Sequence, residues 1–267
     1  MKNKIVYLLA AVSIAAAGAA LASSGPDVRM MPAPAHRLDD ESLQRGARNF
    51  VNYCLTCHSA KYMRYNRLTD IGLTEQQIKD NLIFGDTKIG DTMTVAMRES
   101  DAKAWFGTAP PDLSVETRIR GRDWIYNYLL GFYRDDKSVS GWNNLLFHNV
   151  AMPHVLWELS GTKKLVETTY DTHEKALAAA IAVKGLVAME PAAGGKWLVK
   201  TVAAETEGKL TQVQYEMWVA DLVNYMEFMA EPYKNRSINL GLIVLLYLGV
   251  LFVLAYALKR SIWKDLH

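Results

Sequence analysis

"NYCLTCHSAKYMRY", Asn52–Tyr65, holds both cysteines of the chain, Cys54 and Cys57, with His58 directly after the second. Two thiols at this spacing serve as a disulfide, a zinc corner, a thioredoxin-type redox pair or the anchors of a haem. A disulfide between residues three apart closes too small a loop to restrain the unfolded chain much. Zinc needs about four ligands, and without a second cysteine pair only scattered histidines could complete the set. A redox pair belongs near a strand-to-helix turn. Here the preceding residues have helical spacing: Leu43, Ala47, Phe50, Val51 and Cys54 fall at i, i+4, i+7, i+8 and i+11, on a helix that Asp39 or Asp40 caps. What remains is C-x-x-C-H, in which both thiols add to haem vinyl groups and the adjacent imidazole reaches the iron from the same side. Chance would produce the motif in a chain of this composition only about 3 times in 10,000.

Both ends of the 267-residue chain support an exported site. Lys2 and Lys4 precede an apolar run that closes on Ala20-Leu21-Ala22, with small residues at its first and third positions, the pattern of a signal peptide over residues 1–22. An uncleaved anchor is the alternative, and it exports the bulk of the chain equally. Ile238–Leu258 contains no charge, and at 1.5 Å per residue it spans about 31 Å, the thickness of a hydrocarbon core. The export signal sets the orientation: a single transmembrane helix over 238–258, the large domain outside and a cytoplasmic tail over 259–267. Setting aside five basic residues and one acidic residue in these terminal segments turns the formal charge of +2 into about −2 for the exported part. That balance argues against nucleic acid as a partner and permits docking of a basic protein.

A haem that carries electrons keeps both axial positions filled, and a thioether opposite the imidazole raises its potential relative to a second histidine. Met217, Met226 and Met229 lie at helical spacing with Tyr215, Val219, Leu222 and Val223 and are read as core. Met152, in "HNVAMPHVLW", is the chosen sixth ligand, because the following Pro153 biases it towards an extended loop conformation. Met93 and Met97 are rivals, and His148 and His154 could also offer an imidazole.

Residues 23–38 form a Pro-punctuated lead-in, 39–230 a mainly helical domain and 231–237 a linker to the span. "THEKALAAAIAVKG" has helix composition with a glycine stop, and "GGKWLVKTVAAETEGKLT" alternates like a small hairpin. Thr211 with Gln214 makes a capping box that opens a helix over 212–229.

Four blocks give the chain a family resemblance: "QRGARNFVNYCLTCHSAKYMRYNRL" (44–68), "SDAKAWFGTAPPDLS" (100–114), "NVAMP" (149–153) and "AEPYKNRSINLGLIVLLYLGVLFVLAYALKRSIW" (230–263). Together they resemble cytochrome c1, the haem subunit of the quinol:cytochrome c reductase (bc1) complex, in its bacterial form. The resemblance implies a mainly α, cytochrome c-like haem domain with a C-terminal transmembrane helix, and in such a fold the helix over 212–229 crosses the first one, where Gly46 allows close approach and Phe50 packs. It implies one haem c, attached at Cys54 and Cys57 and ligated by His58 and Met152. Pro111 falls in the stretch that lines the pocket, and Arg120 falls where the family tends to place an arginine near a haem propionate. The implied partners are cytochrome b, a Rieske iron-sulfur protein as donor and a soluble c-type cytochrome as acceptor. The implied place is the bacterial inner membrane, with the haem domain periplasmic. The sequence departs from the family in the approach to Met152, which reads "NNLLFHNVAMP", and residues 160–210 match least. A free-standing membrane-anchored cytochrome feeding an oxidase or reductase is the alternative function; a thiol-disulfide exchanger and a purely structural subunit are more distant ones.

Overall fold

The computed structural model describes residues 27–35 and 39–265; the expected signal peptide lies outside them. The chain begins with β1 (Asp27–Arg29) and α1 (Asp40–Tyr53), followed by β2 (Ala60–Arg64), α2 (Glu75–Leu82), β3 (Thr92–Met93), α3 (Glu99–Phe106), α4 (Glu116–Arg120) and α5 (Arg122–Leu130). β4 (Phe132–Arg134) pairs with β5 (Trp142–Asn144), and α6 (Trp157–Ser160) comes next. β6 (Lys163–Tyr170), α7 (His173–Ala182), β7 (Val187–Pro191) and β8 (Trp197–Ala204) precede two long helices, α8 (Gln212–Ala230) and α9 (Lys234–Ile262).

α1 and α8 form the backbone of the core. Asp39 starts α1 by accepting from the Glu41 and Ser42 N–H groups, and the helix buries Leu43, Ala47, Phe50 and Val51 along one stripe. α8 starts at a capping box in which Thr211 and Gln214 satisfy each other's backbone N–H. The two helices cross at Gly46, where a Cβ would stand 2.1 Å from the Asp221 carbonyl oxygen and 2.6 Å from Tyr225 Cβ. Only a residue without a side chain permits that approach. Phe50 packs against Tyr225 with ring centroids 5.6 Å apart, and Asp221 is held by Arg45 Nε at 2.7 Å and Ser42 Oγ at 2.6 Å. α4 and α5 join α8 on its other side, where Tyr215 donates to the Leu129 carbonyl at 3.0 Å and Thr117 to the Met226 carbonyl at 3.1 Å. Met226 and Met229 are buried as expected, but Met217 is 63% exposed, on the outer face of α8.

The domain is mainly helical, but residues 163–204 build a sheet that the sequence pattern underestimates. Its strand order is β1-β7-β8-β6, every neighbour antiparallel. The stretch expected to fold back as a hairpin contributes one strand instead, β8, paired along its length with β6 from Lys163↔Ala204 to Tyr170↔Trp197. Alternation within a segment marks a strand facing two environments and does not name its partner. α7, capped by Thr172, lays Ala176 and Ala180 on Val187, Met189 and Val199 of the sheet.

α9 contains a 23-residue stretch, Leu240–Ile262, long and apolar enough to cross a membrane, and none of it is buried against the other described residues. Its first turn takes over part of the expected linker, because helix α9 begins at Lys234. Lys234 Nζ reaches back to Glu227 at 3.2 Å and Glu231 at 2.9 Å, and Arg67 donates to the Tyr233 hydroxyl at 2.7 Å.

Candidate haem site

α1 ends at Tyr53, and the Cys54 N–H still donates to the Phe50 carbonyl at 2.9 Å. The chain then turns once more on the Cys54 carbonyl, which accepts from the N–H groups of Cys57 (3.1 Å) and His58 (2.8 Å). One extra turn thus gathers both thiols and the imidazole at the end of a helix. Both cysteines are free, and burial pushes the Cys54 thiol up to about 12, with Cys57 adding to the effect.

A second segment is stapled alongside this turn. Asp112 accepts from the Lys61 and Ser114 N–H groups, each at 2.9 Å, while the Leu113 N–H donates to the Ser59 carbonyl at 2.8 Å. The staple places the Pro111 carbonyl 2.8 Å from His58 Nδ1. A carbonyl can only accept, so Nδ1 carries the proton and Nε2 keeps its lone pair. Burial lowers the His58 pKa, which favours the neutral ring that a metal needs, and the Pro111 hydrogen bond opposes this in part.

Cys54, Cys57, His58, Pro111, Arg120 and Met152 all border one cavity of about 470 Å³, within the ordinary size of a ligand pocket. The remainder of its wall is chiefly apolar and includes Trp124, Leu129, Leu222 and Met226. Arg120 does not point free into it: Nε pairs with Glu116 at 2.6 Å, and the guanidinium lies over the Trp124 ring at 4.4 Å. Met152 stands in the loop after β5, and its Sδ accepts a hydrogen bond from the Tyr128 hydroxyl at 3.4 Å.

Two buried asparagines shape that loop. Asn143 Oδ1 accepts from the N–H groups of Asn144 and Asn149, each at 2.9 Å, and Asn144 Oδ1 accepts from Leu146 (2.9 Å) and Phe147 (3.1 Å). Asn149, at φ 57°, takes the left-handed turn that delivers the chain to Met152. Asn143, Asn144 and Tyr128 went unnoticed in the sequence; the paired asparagines in "WNNLLF" were the available signal.

The rivals to Met152 lie outside the cavity wall. Met93 is wholly buried in β3, its sulfur 3.5 Å from the Tyr225 hydroxyl, and Met97 precedes α3. His148 is exposed. His154 is stacked on Phe132 at 4.9 Å with Nε2 engaged by Ser160 Oγ at 2.9 Å, and burial pushes its pKa down to about 3.

The donor set fits a covalently attached haem: two thiols, an imidazole whose far nitrogen is engaged, a thioether and an apolar wall with one arginine. Comparison with known proteins gives the family. Residues 30–266 match the Cytochrome C1 family. The chain is 42% identical over 263 residues to "Cytochrome c1" of Allochromatium vinosum, covering 97% of this chain and 99% of that one. It is 46% identical over 245 residues to the "Ammonia monooxygenase gamma subunit" of Nitrosomonas europaea, 92% of each. With "Cytochrome c1" of Rhodospirillum rubrum it shares 29% identity over 248 residues, 86% of this chain and 83% of that one. The chain therefore belongs to the cytochrome c1 family, electron-transfer haem proteins of the bc1 complex.

Proposed function

We propose that this chain relays single electrons from a Rieske iron-sulfur protein to a soluble c-type cytochrome, within a complex that also holds cytochrome b. Cys54 and Cys57 would carry haem c through their sulfurs, and His58 and Met152 would ligate its iron. When bound, the haem supplies an iron that takes up and releases one electron. The protein's residues do the rest. Pro111 fixes the imidazole tautomer, the apolar wall excludes water, and Arg120 offers a guanidinium that a propionate can share with Glu116. No proton is transferred, so no general acid or base is assigned. The signal over 1–22 and the span of α9 support a single-pass protein of the bacterial inner membrane, haem domain periplasmic and C-terminal tail cytoplasmic.

The observation that carries this reading is the convergence of the motif's three side chains and Met152 on one cavity, with His58 Nδ1 already engaged. The test is the mass of the mature chain after acid-acetone extraction. One haem added, and lost when Cys54 and Cys57 are both replaced by Ala, supports it; an unmodified chain defeats it. Isolation in mild detergent then identifies the assembly. Cytochrome b and a Rieske protein co-purify under this reading, whereas a lone, fully active haem protein supports the free-standing alternative. Because one relative is named as a subunit of a different oxidoreductase, the same preparation shows which assembly this chain joins.

A further inference from the structure

Met is flexible about three bonds, so a thioether ligand needs something to hold it. In this structure the holding group is Tyr128 on α5. Its hydroxyl donates to Met152 Sδ at 3.4 Å. The ring itself has little freedom: it is stacked on Trp124 at 5.1 Å and 11°, and it meets Phe132 edge-on at 5.0 Å. Trp124 and Tyr128 are neighbours at i and i+4 on α5, and the Arg120 guanidinium, from the end of α4, lies over the Trp124 ring at 4.4 Å. Asn144 sets the register between donor and acceptor. Its Nδ2 donates to the Tyr128 carbonyl at 2.7 Å, while its Oδ1 holds the backbone of Leu146 and Phe147, on the loop that leads to Met152. One side chain therefore ties the helix carrying the hydroxyl to the loop carrying the thioether.

A thioether sulfur has two lone pairs, so one can face a metal while the other accepts a hydrogen bond. A hydrogen bond to the second draws electron density from the sulfur, making it a poorer donor to the oxidised metal and favouring the reduced one. We propose that Tyr128 is a positioning residue for Met152: its hydroxyl holds the thioether in place and raises the midpoint potential of the iron that Met152 ligates. The inference rests on Met152 being that ligand.

The test uses the full-length, haem-loaded chain in detergent and compares Tyr128→Phe, Met152→Leu and the control Tyr126→Phe with the parent protein. Tyr126 is buried on the same helix and does not border the cavity. Potentiometric titration and displacement of the low-spin His/Met spectrum by imidazole are the readouts. Phe keeps the ring stack and removes only the hydroxyl. Tyr128→Phe is expected to lower the midpoint potential and to lose Met152 to imidazole at about two- to tenfold lower concentration, the worth of one hydrogen bond. Tyr126→Phe is expected to match the parent. If Met152→Leu abolishes the His/Met spectrum while Tyr128→Phe changes neither readout, the inference falls and the ligand assignment stands. The inference falls likewise if Tyr126→Phe shifts both readouts as far as Tyr128→Phe does. If Met152→Leu leaves the spectrum intact, the ligand assignment falls and the inference with it.

Discussion

Lys163 is a cation buried in the domain. It is buried at the start of β6, with Nζ donating to the Leu130 carbonyl at 2.9 Å and lying 5.6 Å from the centre of the Tyr215 ring. Burial pushes its pKa down to about 8, against a smaller opposing pull from Glu216. The folded state thus holds this proton less tightly than the unfolded chain, whose lysine titrates near 10.5. Stability from this group is therefore lowest below about pH 8 and rises as pH climbs towards the unfolded value. Lys163→Met is expected to be more stable than the parent near neutral pH, with the gap narrowing by about 3 kcal/mol towards pH 10.5. Paired melting curves at about pH 7 and about pH 10 check it; a gap that widens with pH contradicts the account. At this scale the sequence was partly readable. Cys54, Cys57 and His58 announce their chemistry because it is local, five consecutive residues on one turn. Tyr128 and Asn144 do not, because each acts on a residue brought near only by folding, and "NYL" or "WNN" alone reads as helix or turn.

The crossing of α1 and α8 is the element-level contact that other packing depends on. A methyl at residue 46 would run into the Asp221 backbone and Tyr225 Cβ, neither of which is the yielding end of a long side chain. Gly46→Ala should force the helices apart at a cost of about 3 kcal/mol, lowering the melting temperature by about 10 °C. Because Leu222 and Met226 of the displaced helix border the cavity, the haem absorbance should also report the change. An unaltered melting curve would mean that the helices do not cross so closely. This contact was expected from the family resemblance, since in a cytochrome c-like fold the last helix crosses the first at Gly46. The caps at Asp39 and Thr211 were legible because capping is a matter of neighbours in sequence. The sheet was not. β1 pairs with β7 some 160 residues onward, as Asp27↔Met189 shows, and β8 lies between β7, just before it in the chain, and the more distant β6. Strand partners are set by long-range register, which a local pattern does not carry.

For the molecule as a whole, the division of labour between domain and span can be tested directly. The span's side chains are exposed along its length, so the domain draws no packing from it. A chain ending after Tyr233 should leave the membrane fraction on ultracentrifugation and keep its haem spectrum; a truncated chain that sediments or loses the spectrum would show that the span is part of the fold.

Three residues, Glu231 to Tyr233, separate the helix that walls the cavity from the one that enters the bilayer, and Lys234 and Arg67 clamp the joint from both sides. A carrier mounted on so short and braced a stem has no reach of its own. A haem in this cavity would sit at one height and one attitude above the lipid, and under the proposed function any electron partner would have to travel to it.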